Sequence, residues 1–168
     1  MTQEAKTPTP TPTQPQTPEK LDHLTHFSLT PRLFLDTDNP EAVTADIQVD
    51  ELRVPIKPDG SADSLEAWYQ AIDCRTVDIV TVLLDEQVID IVVDDEGLMK
   101  PNNAPQDTIL GYVITDDMGY EFPLAGVIVL AGSNDEGETI SCPLTPEQIT
   151  QLIEDDRIRT VGINSPYN

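Results

Sequence analysis

Residues 76–93 read TVDIVTVLLDEQVIDIVV. Two runs rich in β-branched residues, Thr76–Leu84 and Val88–Val93, flank the polar connection Asp85-Glu86-Gln87. Val and Ile are stiff at χ1 and suit a pleated surface, and a short polar break between two such runs marks a β-hairpin. Strands joined by so few residues must run antiparallel, which argues against a doubly wound parallel sheet.

Upstream, Ile47 and Val49, then Leu52, Val54 and Ile56, alternate as a strand whose phase slips once, and Pro58-Asp59-Gly60 ends it as a turn. Asp63-Ser64-Leu65-Glu66 has the form of a capping box. Behind it Leu65, Trp68, Tyr69 and Ile72 fall at i, i+3, i+4 and i+7, which predicts an amphipathic helix with Trp68 in the core.

Downstream, Asp94-Asp95-Glu96-Gly97 closes the hairpin. Asn103-Ala104-Pro105-Gln106 reads as a helix start with Ile109, Tyr112 and Val113 as its buried stripe, and a strand over Ile109–Ile114 is the competing reading. Leu124–Ala131 is an unbroken apolar run of strand length, expected to be central and covered on both faces. Thr145-Pro146-Glu147-Gln148 opens a last helix with Ile149, Leu152 and Ile153 facing inward. Ile158–Ile163 would be a terminal edge strand. Residues 46–168 are thus expected to form an α+β domain: a small mixed sheet with a central β-hairpin and two or three helices.

The N-terminal third differs in character. Residues 1–20 are almost wholly Thr, Pro, Gln and charge, with Pro8, Pro10 and Pro12 fixing φ and removing donors. Such a segment buries nothing that offsets ordering entropy and is expected to be a disordered tail. Residues 21–45 read as a transitional segment, with His26–Thr30 and Arg32–Asp36 as a candidate docked strand pair interrupted by Pro31. Asn39-Pro40-Glu41 has the order of a helix start.

Charge limits function more than any motif. The chain of 168 residues carries 31 Asp and Glu against 9 Lys and Arg, a formal net charge of -22. Residues 51–168 alone hold 23 acidic and 6 basic side chains, near -17. Such a surface does not release phosphate counterions, so direct nucleic-acid binding and anionic membranes are disfavoured. Neither an apolar leader nor a run of about 20 apolar residues is present, and Cys74 and Cys142 form no disulfide framework, so a cytoplasmic protein is expected.

The usual catalytic constellations are missing. His23 and His26 are the only histidines and precede the segment with clear secondary structure, so they are expected to be solvated or packing side chains rather than bases or ligands. The carboxylate clusters do not match the spacing of a calcium loop, and neither a P-loop nor a dinucleotide fingerprint occurs. No cofactor and no metal are expected, and the chain reads as non-catalytic.

The order of several local signatures resembles a known family. These are Pro58-Asp59-Gly60, the helix with Leu65 and Trp68, Val93-Asp94-Asp95-Glu96-Gly97-Leu98, Pro101-Asn102-Asn103-Ala104, Leu124-Ala125-Gly126-Val127-Ile128-Val129, the turn at 134–137, and Leu144-Thr145-Pro146-Glu147. Over about residues 51–150 they resemble the domain of unknown function 3846 family, small proteins of phages, plasmids and other mobile elements. Members usually have a Gly-Gly pair and a Glu before the hairpin, where this chain has Cys74-Arg75 and Asp78. The resemblance implies a fold and a mobile-element setting, and no activity.

A compact domain of the size of residues 51–168 spans about 35 Å, and duplex DNA of that length carries about 20 phosphate charges. The near match with -17 suggests an acidic interaction protein that binds a basic protein, such as a host nuclease or other DNA-binding protein, by imitating DNA. The alternative is an accessory or scaffolding domain whose acidity only confers solubility. The first candidate patch for a partner is Asp85, Glu86, Asp90, Asp94, Asp95 and Glu96, most of which strand alternation and the flanking turns should expose.

Overall fold

The hairpin at residues 76–93 forms as expected, yet it lies at one side of a sheet rather than at its centre. The computed structural model of the chain describes residues 22–35, 38, 43–97 and 108–164. In chain order the elements are β1 (His23–Leu35), β2 (Val43–Pro55), α1 (Ser64–Ile72), β3 (Val77–Leu84), β4 (Gln87–Asp94), β5 (Thr108–Thr115), β6 (Glu121–Ala125), β7 (Ile128–Ser133), β8 (Thr139–Ile140), α2 (Pro146–Glu154) and β9 (Ile158–Asn164). The larger sheet has the order β2-β1-β7-β4-β3, with β8 added on β7, and the smaller has the order β6-β5-β9.

Strand alternation gives the larger sheet two apolar faces. Phe27 and Leu29 of β1, Ile89, Ile91 and Val93 of β4, and Ile128 and Leu130 of β7 point to one side. There they meet Tyr112 and Ile114 of β5, Leu124 of β6, Ile158 of β9, and Ile149 and Leu152 of α2. Val92, Val129 and Ala131 point to the other side, where Trp68 and Ile72 of α1 cover them. β7 is therefore apolar on both faces, as its central position requires.

The α+β expectation is corrected: the fold is predominantly β, with two helices of nine residues each among the described residues and antiparallel pairing throughout the described strand pairs. Two misreadings account for the difference. Residues 109–114 are strand β5 and not a helix, because Leu110, Tyr112 and Ile114 alternate into the core while β6 and β9 pair on either side. The proposed helix start at Asn103 and that at Asn39 lie outside the described residues, as does the tail 1–20.

The second misreading concerns residues 26–36. The expected pair, His26–Thr30 with Arg32–Asp36, is overturned over its described part: residues 23–35 form one strand that pairs with β2 in continuous register, and Asp36 lies outside the described residues. Pro31 is tolerated because β7 pairs only with Phe27–Leu29, so the side of β1 beyond them needs no donor from Pro31. β2 likewise shows no bulge at the phase slip. Ile47 and Val49 pack on the inter-sheet core whereas Leu52 packs on the α1 side, so the apolar face changes and the register does not.

The run Leu124–Ala131 is also divided. Gly126, at φ 79, turns the chain between β6 and β7, and its two halves belong to different sheets. Ile158–Asn164 is an edge strand, of the smaller sheet. Helix α2 has the capping box read from its sequence, with Gln148 N–H donating to Thr145 Oγ1 (3.2 Å) and Thr145 N–H donating to Gln148 Oε1 (2.9 Å). The box expected at α1 is absent: Asp63 makes no side-chain cap bond, and Leu65 stays 49% exposed while Trp68 and Ile72 are buried.

Candidate functional site

The β3–β4 turn consists of Asp85 and Glu86 alone, both at positive φ (51° and 64°). Two successive residues in that region are the signature of a type I′ hairpin turn, which normally takes Asn-Gly. For side chains other than Gly each costs about 1–2 kcal/mol. The carboxylate of Asp117, in the β5–β6 turn, meets that cost. Asp85 N–H donates to its Oδ1 (2.9 Å) and Glu86 N–H to its Oδ2 (2.7 Å). Charge-assisted bonds of this kind are worth about 1.5–3 kcal/mol, less where solvent reaches them, so the clamp and the strain are of similar size.

Arg157, which precedes β9, completes this end of the molecule. Its Nη2 donates to Asp117 Oδ1 at 2.6 Å, and its Nη1 lies 3.7 Å from Asp85 Oδ1. The guanidinium beside Asp117, together with the turn amides, holds that carboxyl below the usual carboxylate range. Asp116 organises the neighbouring turn, accepting from the N–H groups of Met118 and Tyr120. Of the candidate partner residues, Asp85 is therefore half-buried and paired with a cation, while Glu86 is exposed.

Asp90 sits mid-strand on the α1 side and accepts from Thr81 Oγ1 (2.8 Å). Asp94, Asp95 and Glu96 stand at the opposite end of the hairpin, seven strand residues from the turn and so about 23 Å away. Asp94 Oδ1 accepts from Glu96 N–H (2.9 Å), which bends the chain out of β4. With Asp78, Val80, Val93, Gly97, Pro123, Leu124 and Ala125 these three residues line an open cleft between β3 and β6. The six candidate residues thus form two acidic ends with Asp90 between them, not one continuous patch.

Sequence reasoning missed Asp117 and Arg157 as determinants of the turn. The available signal was the turn itself: Asp-Glu where Asn-Gly is favoured requires support from elsewhere. Asp78, noted only as a departure from the usual Glu, proves to line the acidic cleft.

His26 belongs to the folded core, contrary to its expected place before it. It is fully buried, accepts a hydrogen bond from Trp68 Nε1–H at Nδ1 (3.1 Å) and donates from Nε2 to the Ile140 carbonyl (3.0 Å). Burial lowers its pKa, partly opposed by that carbonyl. This is a packing histidine, as one of the two expectations had it. Cys142 is a buried thiol that burial pushes up to about 11, so it is not primed as a nucleophile. Among the described residues no group of three or more His, Cys, Asp or Glu is arranged to hold a metal ion, and no helix is long and apolar enough to cross a membrane.

No curated protein and no solved structure was found to match the chain. Residues 39–156 match the family described as a domain of unknown function, DUF3846. That span runs from just before β2 to the end of the turn after α2, and so contains the hairpin, the Asp117 clamp residue and the acidic cleft. The chain belongs to the domain of unknown function 3846 family.

Proposed function

We propose that this chain is a non-catalytic, acidic interaction protein of a mobile genetic element, acting in the cytoplasm on a basic protein. Imitation of DNA toward a nuclease or another DNA-binding protein is the sharper form of the proposal. The observation that carries it is the charge imbalance of the folded part, 23 acidic against 6 basic side chains over residues 51–168. The cation Arg157 is already engaged by Asp117 and Asp85, so it leaves the surrounding carboxylates of Glu86, Glu154, Asp155 and Asp156 outward and unneutralised. Opposite potentials speed encounter and set orientation, and the attraction weakens with salt.

The test is capture of basic DNA-binding proteins on the immobilised chain at low salt, followed by challenge with duplex DNA. Release by DNA at concentrations that leave unrelated complexes intact is the expected result. Capture that ignores both DNA and salt would remove the mimicry reading and leave the alternative, an accessory or scaffolding domain whose acidity serves solubility.

A further inference from the structure

The two sheets meet closely where β2 approaches β9 and stand open on the opposite side, where β3 and β6 are the last strands of their sheets. β3 has a specific hydrogen-bond phase. Leu84 faces Gln87 across a two-residue turn, so Leu84, Val82, Val80 and Asp78 bond inward to β4 and the intervening residues point their amides outward. Two observed bonds agree with that phase: Leu83 C=O accepts from Asp117 N–H (2.9 Å), and Ile79 N–H donates to Asp78 Oδ1 (2.9 Å). Between these two protected positions, the N–H and C=O of Thr81 and the C=O of Ile79 have no partner among the described residues.

Beside this open stretch lies the cleft described above. Its apolar lining is Val80, Val93, Pro123, Leu124 and Ala125, its polar lining is Asp78, Asp94, Asp95 and Glu96, and none of its lining residues is Lys or Arg. An unpaired strand edge beside a cleft lined by both apolar and acidic side chains is the geometry by which proteins take up extended peptides as an added strand. The charge selects the occupant. A second copy of this chain would bring its own net negative charge to Asp78, Asp95 and Glu96, whereas lysine or arginine side chains would neutralise them.

We propose that the β3 edge and the adjoining cleft bind an extended, basic segment of a partner protein, added antiparallel or parallel to β3. Its backbone pairs with Thr81 and Ile79, and the side chains on its cleft-facing side, every second residue, include apolar ones against Val80 and Leu124 and basic ones that reach Asp78, Asp95 and Glu96. This rests on the reading of the chain as an acidic binder of basic proteins and specifies where and in what conformation the partner is held.

The probe is a synthetic peptide as long as β3 with the repeat Val-Thr-Lys-Thr, so that valine and lysine share one face, compared with two forms N-methylated on all the threonine amides or on all the valine and lysine amides. Each methylation blocks one edge of the peptide and leaves its charge unchanged. Binding is measured by titration calorimetry, and contact by amide shifts of Val77–Thr81 and Asp95–Gly97. One methylated form is expected to bind about tenfold or more weakly while the other matches the unmodified peptide. The paired variant Thr81→Pro removes an outward amide and, toward β4, only the side-chain bond to Asp90, a loss that Thr81→Val reproduces with the amide intact. Thr81→Pro should weaken the unmodified peptide similarly, and Thr81→Val should not, with Trp68 fluorescence unchanged in both. Equal binding of all three peptides, or no binding at low salt, overturns the strand-addition assignment. The broader proposal is judged apart from it, by the DNA challenge of captured proteins.

Discussion

The indole N–H of Trp68 donates to Nδ1 of His26 at 3.1 Å, joining helix α1, which covers the outer face of the larger sheet, to the strand beneath it. Since Nε2 lies 3.0 Å from the Ile140 carbonyl and must donate to it, the imidazole is held as the neutral Nε2–H tautomer, with both ring nitrogens satisfied. The pair ties α1, β1 and β8 together at a single buried ring.

Acid should therefore destabilise the protein through this residue. Burial depresses the folded pKa of His26 below its ordinary 6.5, so below that value the unfolded chain binds a proton that the folded chain does not. The stability contribution is complete above about pH 6.5 and is lost as pH falls toward and through the folded value, with a slope of at most about 1.4 kcal/mol per pH unit. Urea unfolding followed by the fluorescence of the single Trp at pH 7.5 and in mild acid reads the effect. His26→Gln should flatten this part of the profile, and an unchanged profile in that variant would assign the acid sensitivity elsewhere.

The Asp117 clamp predicts a rescue. Asp117→Ala removes the acceptor for two turn amides and should cost about 1–3 kcal/mol. Replacing Asp85-Glu86 with Asn-Gly, the favoured type I′ pair, removes the positive-φ cost while keeping both clamp amides, so it should stabilise the parent and offset most of the loss in the Asp117→Ala background. No gain from Asn-Gly in either background, measured by chemical denaturation, would refute the strain assignment.

The two helix starts should respond differently to the same substitution. Thr145→Ala breaks a complete capping box and should lower stability by about 1 kcal/mol. Asp63→Ala breaks no cap bond and should fall within about 0.5 kcal/mol of the parent.

At Gly132 an added Cβ would lie 2.7 Å from the Ser141 carbonyl oxygen and 3.0 Å from Pro143 Cδ. Because the nearest atom is backbone, Gly132→Ala should force β8 and the following residues away from β7 at a cost of about 1–3 kcal/mol. A melting temperature equal to that of the parent would show that this segment moves freely.

What the sequence disclosed, and what it hid, follow from the range of the interactions involved. The β3–β4 hairpin, the stripe Trp68–Ile72 and the Thr145 cap are set by residues within a turn or two of one another, and each was legible. The division of Leu124–Ala131 was not, because one Gly in an apolar run leaves the hydrophobic pattern unchanged while its positive φ reverses the chain. The strand through Pro31 was hidden because its tolerance depends on which stretch of β1 meets β7. Likewise the candidate carboxylates were visible one by one, but their separation into a clamped turn and an open cleft depends on Asp117 and on β6, both remote in sequence.

The place of β1 between β2 and β7 also joins two distant parts of the described chain in one sheet. The hairpins β1–β2, β3–β4 and β5–β6 close locally, but Phe27–Leu29 must find Ile128–Leu130, partners about a hundred positions away, before the larger sheet exists. Until then the sheet is two separate ribbons, with the apolar edges of β1 and β7 both unpaired. The N-terminal hairpin is thus the piece whose docking closes the longest loop among the described strand pairs, and one that could dock on a neighbouring chain instead. Crowded synthesis of this protein would then yield exchanged dimers through β1 and β7, on the side of the sheet away from the β3 edge.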